Sequence, residues 1–147
     1  MLSDKVVDYC KTDLVNIGGF DRLEFVSAER GHFVMRAHPS EACVNNQGTV
    51  HGGYLLALVD MAGSGVADTL GYENVTMSLS ANFLRPGRIT DEYLQVEGVA
   101  VHAGRRTTVS EVTITRPCGE VVLKATATMA MFADSPIDPD TEGALRA

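Results

Sequence analysis

Hydrophobic residues between positions 54 and 70 recur at the three- and four-residue spacing of an amphipathic helix. Placed at about 100° per residue, they fall within a stripe roughly 120° wide. The stripe consists of Leu55, Leu58, Val59, Ala62, Val66 and Leu70. It predicts a long helix with one packed face. Asp60 lies off the stripe, on a side shared with the small residues Gly53, Ala57 and Ser64. Such a side suits the close approach of a second subunit, and it equally suits plain packing of a helix on a sheet.

Most of the remaining chain carries the two-residue alternation of β-strands. A helical spacing recurs at positions 2–15, and Gly18-Gly19 ends it. Strands are predicted at residues 23–30, 32–37, 75–83, 92–102, 107–115 and 121–132, with an irregular loop at 39–48. The order contains no strand–helix–strand repeat. It therefore predicts the α+β class, with an antiparallel sheet around one central helix.

Length and composition fit one domain. The chain has 147 residues, 45% of them hydrophobic, which is enough to bury a core. We expect residues 1–19 to form an N-terminal helix of the same domain and residues 20–132 to form its main part. Residues 133–147 are rich in Pro, Asp, Gly and Ser, and this composition predicts a mobile tail.

Charge and cysteine content argue against several classes of protein. The net charge of -7 disfavours a nucleic-acid partner. The chain lacks an apolar run of about 18 residues and a basic-then-apolar start, so we expect a soluble cytoplasmic protein with no membrane partner. Cys10, Cys43 and Cys118 form no CxxC pair, which argues against a disulfide framework or a zinc site. Cys43 as a small hydrophobic residue is favoured over Cys43 as a nucleophile.

His51, Gly52 and Gly53 stand at the start of the predicted helix, and Asp60 follows within it. If this segment is one continuous helix, the steps from His51 to Asp60 span roughly 13.5 Å along the axis. The two side chains are then too far apart to touch. They could share a site only if two chains each contribute one of them.

Four segments carry a pattern beyond secondary structure. They are Asn45-Asn46-Gln47-Gly48-Thr49-Val50-His51-Gly52-Gly53, then Asp60, then Ala81-Asn82-Phe83-Leu84-Arg85-Pro86-Gly87, and later Gly104-Arg105-Arg106-Thr107. Together they resemble the hot dog fold acyl-CoA thioesterases of the phenylacetic-acid-pathway (PaaI-like) type. The similarity runs from about residue 20 to about residue 132. The joint spacing of Asn45, His51-Gly52-Gly53 and Asp60 is specific, whereas HGG alone is a weak motif.

The resemblance implies a hot dog fold, in which an antiparallel sheet wraps a long central helix. It also implies a homo-oligomer, either a dimer with edge-to-edge sheets or a dimer of such dimers. Active sites then lie between subunits. The start of the helix in one chain would face Asp60 of the other chain, which accounts for the separation of His51 from Asp60.

Thioester hydrolysis needs a nucleophile or a general base, and Asp60 is the candidate for either role. Backbone N–H groups at a helix start lack intrahelical acceptors, so they can donate to the oxyanion of a tetrahedral intermediate. Gly52 is the matched donor, because it has no side chain to obstruct the thioester oxygen. The alternatives are an exposed helical aspartate and a glycine that only permits a tight turn.

By the family pattern, the Asn45 amide would hold the carbonyl or the water, and His51 would orient or polarise the thioester. Related enzymes place a hydroxyl near the start of the strand after the helix, where it positions the water. Thr76 is the candidate here, and Ser78 is expected on the same strand face. A local hydrogen-bonding role for His51 and a plain surface position for Thr76 are the alternatives.

Coenzyme A carries phosphates that an acidic chain must hold with a local basic cluster. The candidates are Arg85, Arg88, Arg105 and Arg106. They lie beside turns, where guanidinium groups can make forked bonds to phosphate, and solvated loop arginines are the alternative. We expect the acyl group to contact Gly53, Tyr54, Leu58 and Met61.

The favoured function is therefore an acyl-CoA thioesterase that uses no metal or organic cofactor, because Asp60 occurs together with Gly52. A non-catalytic acyl-CoA or lipid-binding protein of the same fold is the alternative. An enoyl-CoA hydratase is a third possibility, but the Asp and His spacing of that branch is not found. The pattern does not define the acyl group.

Overall fold

The computed structural model describes residues 1–138. Its helices are α1 (Asp4–Lys11) and α2 (Gly52–Asp68), and its strands are β1 (Leu23–Glu29), β2 (His32–Ala37), β3 (Tyr72–Phe83), β4 (Leu94–Ala103), β5 (Thr107–Thr115) and β6 (Val121–Pro136). A 3₁₀ turn, Glu41–Cys43, interrupts the loop expected at 39–48. The element order and the α+β class are confirmed. Residues 133–136 of the expected tail belong to β6, and residues 139–147 lie outside the described residues.

The six strands form one antiparallel sheet in the order β1-β2-β4-β5-β6-β3, and α2 packs on one of its faces. The alternation along β6 explains why. Lys124 and Thr126 are exposed, whereas the residues that alternate with them are at most 8% exposed, namely Leu123, Ala125, Ala127, Met129 and Met131. The sheet therefore has one face covered by the helix and one outer face.

The predicted apolar stripe is buried along its whole length, with five of its residues in α2 and Leu70 two residues beyond the end of the helix. Each of its six residues is at most 3% exposed, and burial of one Leu or Val side chain contributes about 1.5–3 kcal/mol. The contact with the sheet is close at Gly63, where an added Cβ would lie 2.6 Å from Met129 Cε and 2.7 Å from Ala127 Cβ. Because glycine has no Cβ, α2 can lie directly on β6.

Tyr54 and Leu58 belong to this core, which corrects the expectation that they contact an acyl group. Both residues are 0% exposed. The Tyr54 hydroxyl donates to the Gly19 carbonyl oxygen over 3.2 Å, and the Tyr54 ring centroid lies 4.9 Å from that of Phe20. Both side chains are on the part of α2 that faces the interior of the subunit, so they are not available to a surface cleft. Met61 is partly buried against the same core.

The alternation of inward and outward residues is broken in β3, an edge strand that pairs with β6. Thr76 pairs with the inward residue Met129, but Ser78 pairs with the outward residue Thr128. A register shift between them leaves Met77 as an extra residue, as in a β-bulge. Thr76 therefore faces α2 and Ser78 faces the outer surface. The expectation that both share one face is wrong for this reason.

Replacing Tyr54 with phenylalanine tests the role of its hydroxyl in the core. We expect Tyr54→Phe to lower the free energy of unfolding by about 0.5–1.5 kcal/mol, because the Gly19 carbonyl loses its donor. Urea denaturation measures this change. Tyr93→Phe is the control, since the Tyr93 ring lies against Arg36 and its hydroxyl has no hydrogen bond within residues 1–138.

Tyr54→Phe should also change how the free energy of unfolding depends on pH in alkaline solution. Burial raises the pKa of Tyr54 from 10.0 to about 12. Between these two values the unfolded chain releases the proton and the folded chain keeps it, so the free energy of unfolding falls as the pH rises through this range. For Tyr54→Phe, the free energy of unfolding should not show this contribution to the decrease. Parallel alkaline profiles for the two proteins would contradict the assignment.

Candidate functional site

His51 caps the start of α2. Its backbone is extended, with φ -63 and ψ 135, and its Nδ1 accepts a hydrogen bond from the Gly53 N–H over 3.0 Å. An accepting Nδ1 carries no proton, so the neutral ring carries its proton on Nε2. The backbone N–H of His51 donates to the Cys43 carbonyl oxygen over 2.7 Å, which ties the cap to the preceding loop. The His51 ring is thereby held with its Nε2–H free to donate a hydrogen bond.

Gly52 is left with an unused donor. The N–H of Gly52 lies in the first turn of α2 and has no intrahelical acceptor, and it has no other acceptor within residues 1–138. Gly52 lines an open cleft of about 330 Å³ together with Val50, Leu55, Phe83, Leu84, Arg85 and Pro86. A helix start also favours negative charge near its N–H groups. This cleft therefore offers a backbone donor for an oxyanion.

Asp60 and Thr76 meet between α2 and β3. The Thr76 hydroxyl donates a hydrogen bond to Asp60 Oδ1, while Asp60 Oδ2 has no hydrogen-bond partner among the described residues. The pair lines a second open cleft, of about 350 Å³, with Gly53, Leu56, Ala57 and Leu79. The arrangement presents one oriented carboxylate with one free oxygen beside an apolar surface.

One chain does not bring Gly52 and Asp60 together. They line different clefts, and their separation along α2 is about 12 Å. The structure therefore places the Asp60 carboxylate and the Gly52 N–H in two different clefts of one subunit. Within residues 1–138, Thr76 is the sequence-predicted site residue that forms a hydrogen bond with Asp60.

Asn45 uses its side chain mainly within its own loop. Its Oδ1 accepts from the backbone N–H groups of Gln47 and Thr49 over 3.0 and 3.1 Å, and its Nδ2 lies 3.0 Å from the Thr49 hydroxyl oxygen. This is an Asx-type turn. The neighbouring Asn46 instead donates to the side chains of Thr12 and Asp13. Asn45 thus shapes the loop before His51 and keeps one amide hydrogen for another acceptor.

The four candidate arginines do not converge in one chain. The backbones of Arg88 and Thr49 form an isolated antiparallel β-bridge at the end of the sheet where α2 begins. The Arg85 side chain donates a hydrogen bond to the Val121 carbonyl oxygen at the same end. Arg105 and Arg106 occupy the β4–β5 hairpin at the opposite end. A single subunit therefore carries two separate pairs of exposed arginines.

Residues Leu56, Ala57 and Leu79 line the Asp60 cleft; the sequence pattern placed Ala57 on the side of Asp60 but assigned none of the three to the site. A signal for the helical two was present, because they precede Asp60 by four and three residues and therefore share its side of the helix. Leu79 had no such signal. Which side of β3 faces the helix depends on the extra residue Met77.

Within residues 1–138, no group of three or more His, Cys, Asp or Glu side chains is arranged to hold a metal ion. In the same part of the chain, no helix is long and apolar enough to cross a membrane. The Cys43 thiol is free and buried, and it donates to the Ser40 carbonyl oxygen over 3.1 Å. Its surroundings agree with a small hydrophobic role.

Comparison with known proteins gives a consistent result. The chain matches the Thioesterase superfamily over residues 47–123, slightly more than half of its length. It is 34% identical to the smu.793 protein of Streptococcus mutans, solved with acetyl CoA, with a TM-score of 0.76 over 85% of this chain and 98% of the other. It is 35% identical to a hypothetical thioesterase of Streptococcus pneumoniae, solved with coenzyme A, with a TM-score of 0.78 over 83% and 96% of the two chains.

Two further structures are variants of the pneumococcal protein, one with a threonine and one with an aspartate replaced by alanine. The PaaI protein from the phenylacetic acid degradation operon of Escherichia coli shares the fold, with 24% identity and a TM-score of 0.72 over 75% of this chain and 79% of the other. The six-stranded sheet around one long helix agrees with these neighbours. The chain therefore belongs to the thioesterase superfamily and has the hot dog fold.

Proposed function

We propose that this protein is an acyl-CoA thioesterase, which converts an acyl- or aryl-CoA ester and water into a carboxylic acid and free coenzyme A. The observation that carries this proposal is the Asp60 carboxylate, oriented by Thr76 and bordered by an apolar cleft. The relatives solved with acetyl CoA and with coenzyme A support the choice of thioester. The proposed reaction uses no metal or organic cofactor.

The pneumococcal variants give independent support for the Asp60–Thr76 pair. The aspartate and the threonine that are replaced in those two structures are 16 residues apart, as the two positions in their names indicate. Asp60 and Thr76 are also 16 residues apart. The agreement in residue type, order and spacing favours equivalence of the two pairs.

In the proposed mechanism, Thr76 occupies Oδ1 of Asp60 and leaves Oδ2 for chemistry. Either Oδ2 attacks the thioester carbonyl carbon and water then opens the resulting anhydride, or Oδ2 removes a proton from a water molecule that attacks the same carbon. In both routes a C–O bond forms, the C–S bond breaks and coenzyme A leaves as a thiol after taking up a proton. The apolar cleft would receive the acyl group.

The developing oxyanion needs a donor, and we propose the N–H of Gly52. It has no acceptor in the described chain, and it lies at the positive end of the α2 dipole. His51 keeps the Gly53 N–H occupied, and Gly52, unlike Gly53, lines the cleft beside Phe83. His51 Nε2–H and the remaining Asn45 amide hydrogen are proposed to orient the thioester or the water.

We further propose that two copies of the chain share each site. The outer edge of β3 has no neighbouring strand in the described chain, and exposed hydrophobic residues accompany it, namely Val75, Met77, Phe83 and Leu84. A long apolar edge strand favours pairing with another strand. Antiparallel pairing of two β3 strands would bring the start of α2 in one copy toward Asp60 of the other copy. A dimer, or a dimer of such dimers, then has complete sites.

The same pairing of β3 strands would give this acidic protein a local basic cluster for binding phosphate. Because antiparallel copies run in opposite directions, Arg85 and Arg88 of one copy would lie at the same end of the dimer as Arg105 and Arg106 of the other copy. We propose this joint cluster for the phosphates of coenzyme A. A reducing cytoplasmic setting is also proposed, supported by cysteines that are unpaired in the described chain.

A panel of acyl-CoA esters with a thiol-trapping reagent tests the function. We expect hydrolysis by the parent protein, and a loss of about 10²- to 10⁴-fold in kcat for Asp60→Asn, because general base catalysis contributes on that scale. Asp8→Asn, on α1, is the control for loss of an exposed helical aspartate and should retain activity. Coenzyme A binding without any hydrolysis by the parent would instead favour the non-catalytic binding protein.

Gly52→Pro removes the proposed donor while keeping the helix start. Proline is favoured at the first helical position, and the extended backbone of His51 suits a residue before proline. We expect kcat to fall by about 10²- to 10³-fold, as for loss of one oxyanion donor.

Gly52→Ala is the matched control, because it retains the N–H and its Cβ would lie 3.6 Å from the nearest Phe83 atom, an ordinary contact. Because Gly52→Ala keeps the N–H and adds only a methyl group beside the cleft, its kcat should fall by less than that of Gly52→Pro. A folded Gly52→Pro protein with parental kcat would reject the Gly52 N–H as the donor.

A further inference from the structure

We propose that Asn74 is a positioning residue for the hydrolysis: it holds β3 against α2 so that Thr76 stays in contact with Asp60. This inference rests on the proposed function and adds a residue to it. Asn74 lies two positions before Thr76 on the strand and is absent from the clefts lined by Gly52 and Asp60. Its action on the reaction is therefore indirect.

Asn74 connects β3 to α2 through both ends of its amide group. Its Oδ1 accepts from the Ser64 hydroxyl over 3.0 Å, and its Nδ2 donates to Asp68 Oδ1 over 2.8 Å. Nδ2 also lies 3.2 Å from the carbonyl oxygen of Tyr72. A single planar side chain thus links two successive turns of the helix to the strand backbone.

The two polar residues of β3 point toward the helix because of their register. Asn74 pairs with Met131 and Thr76 pairs with Met129, and both methionines are on the buried side of β6. Register shifts in β3 lie before Asn74 and after Thr76. The short segment between these shifts is therefore the part of the strand that directs polar side chains at α2.

The residues of α2 that form hydrogen bonds with Asn74 and Thr76 are spaced by one helical turn. Asp60, Ser64 and Asp68 follow one another at four-residue intervals, which places them on one side of the helix. The Thr76–Asp60 bond and the two Asn74 bonds are the side-chain hydrogen bonds between α2 and β3 within residues 1–138. Together they form one polar seam beside the proposed site.

Within one described subunit, β3 has a neighbouring strand on one side only, β6, and the polar seam joins its segment from Asn74 to Thr76 to α2. Burial raises the pKa of Asp68, and the hydrogen bond from Asn74 opposes that rise, which indicates that the Asn74 amide stabilises the charged carboxylate. Without Asn74 the start of β3 loses its links to the helix two residues from Thr76. The expected consequence is a less well oriented Asp60.

The test compares Asn74→Ala with the parent protein in the acyl-CoA assay. We expect kcat to fall by about tenfold while KM stays within about twofold, since a small misplacement of a catalytic group slows chemistry more than it weakens substrate binding. Asn82→Ala is the matched control: Asn82 is exposed on the same strand and pairs with the outward residue Lys124. Its kcat should equal the parent value.

A double-mutant cycle separates positioning from general structural damage. If Asn74 acts through Thr76, Asn74→Ala should lower kcat by less than about twofold when Thr76→Val is already present. A full tenfold loss in both backgrounds would overturn the inference. Parental kcat for Asn74→Ala in an active parent would also overturn it and would leave the proposed function intact, whereas an inactive parent rejects both.

Ser64→Ala decides the question if Asn74→Ala does not fold. It removes only one of the two Asn74 links, and alanine is favoured within a helix, so the protein should fold. We expect kcat to fall by about two- to threefold with an unchanged KM, and this loss should vanish in the Thr76→Val background. An unchanged kcat for Ser64→Ala would then reject the inference.

Discussion

A rigid helix separates the two groups that thioester hydrolysis would need. Gly52 begins α2, and Asp60 follows two turns later, about 12 Å along the axis. Because both residues belong to one continuous α-helix, the helical rise sets this distance. In the proposed mechanism, each subunit therefore contributes the Gly52 donor to one site and the Asp60 carboxylate to another.

The edge strand β3 is the element through which these half-sites would combine. Its inner edge pairs with β6 and its outer edge has no neighbour in the described subunit. Thr76 donates to Asp60, and the extra residue Met77 after it gives the following residues the opposite alternation. One irregular strand therefore has two functions in this account: it orients the carboxylate and it offers the pairing edge.

Much of the fold followed from periodicity in the sequence. The stripe on α2 and the alternation in β6 are strong because each buries one continuous face. Tyr54 and Leu58 were misassigned, since a helical apolar residue can face either a ligand or the core and the sequence does not distinguish these environments. The opposite faces of Thr76 and Ser78 were also missed, because a one-residue bulge reverses the alternation without any change in residue type.

The candidate site was predictable only in part. Asp60, Gly52 and Thr76 came from residue spacing and a family pattern, whereas the hydrogen bond between Thr76 and Asp60 is seen only in the structure. The hydrogen bonds of Asn74 to α2 depend on register shifts that the sequence pattern does not predict. The separation of the arginines into two pairs depends on which strand ends meet, and this is a property of the sheet order and not of local sequence.

The most direct test of the central claim uses mixed dimers. Asp60→Ala and Gly52→Pro chains carrying different affinity tags are co-expressed, and the heterodimer is purified through both tags. If each site combines Gly52 of one chain with Asp60 of the other, the heterodimer has one intact site of two and should recover about half of the parental kcat per dimer, although each variant alone is nearly inactive. A heterodimer with no activity above the residual activities of the two variants would contradict the shared site.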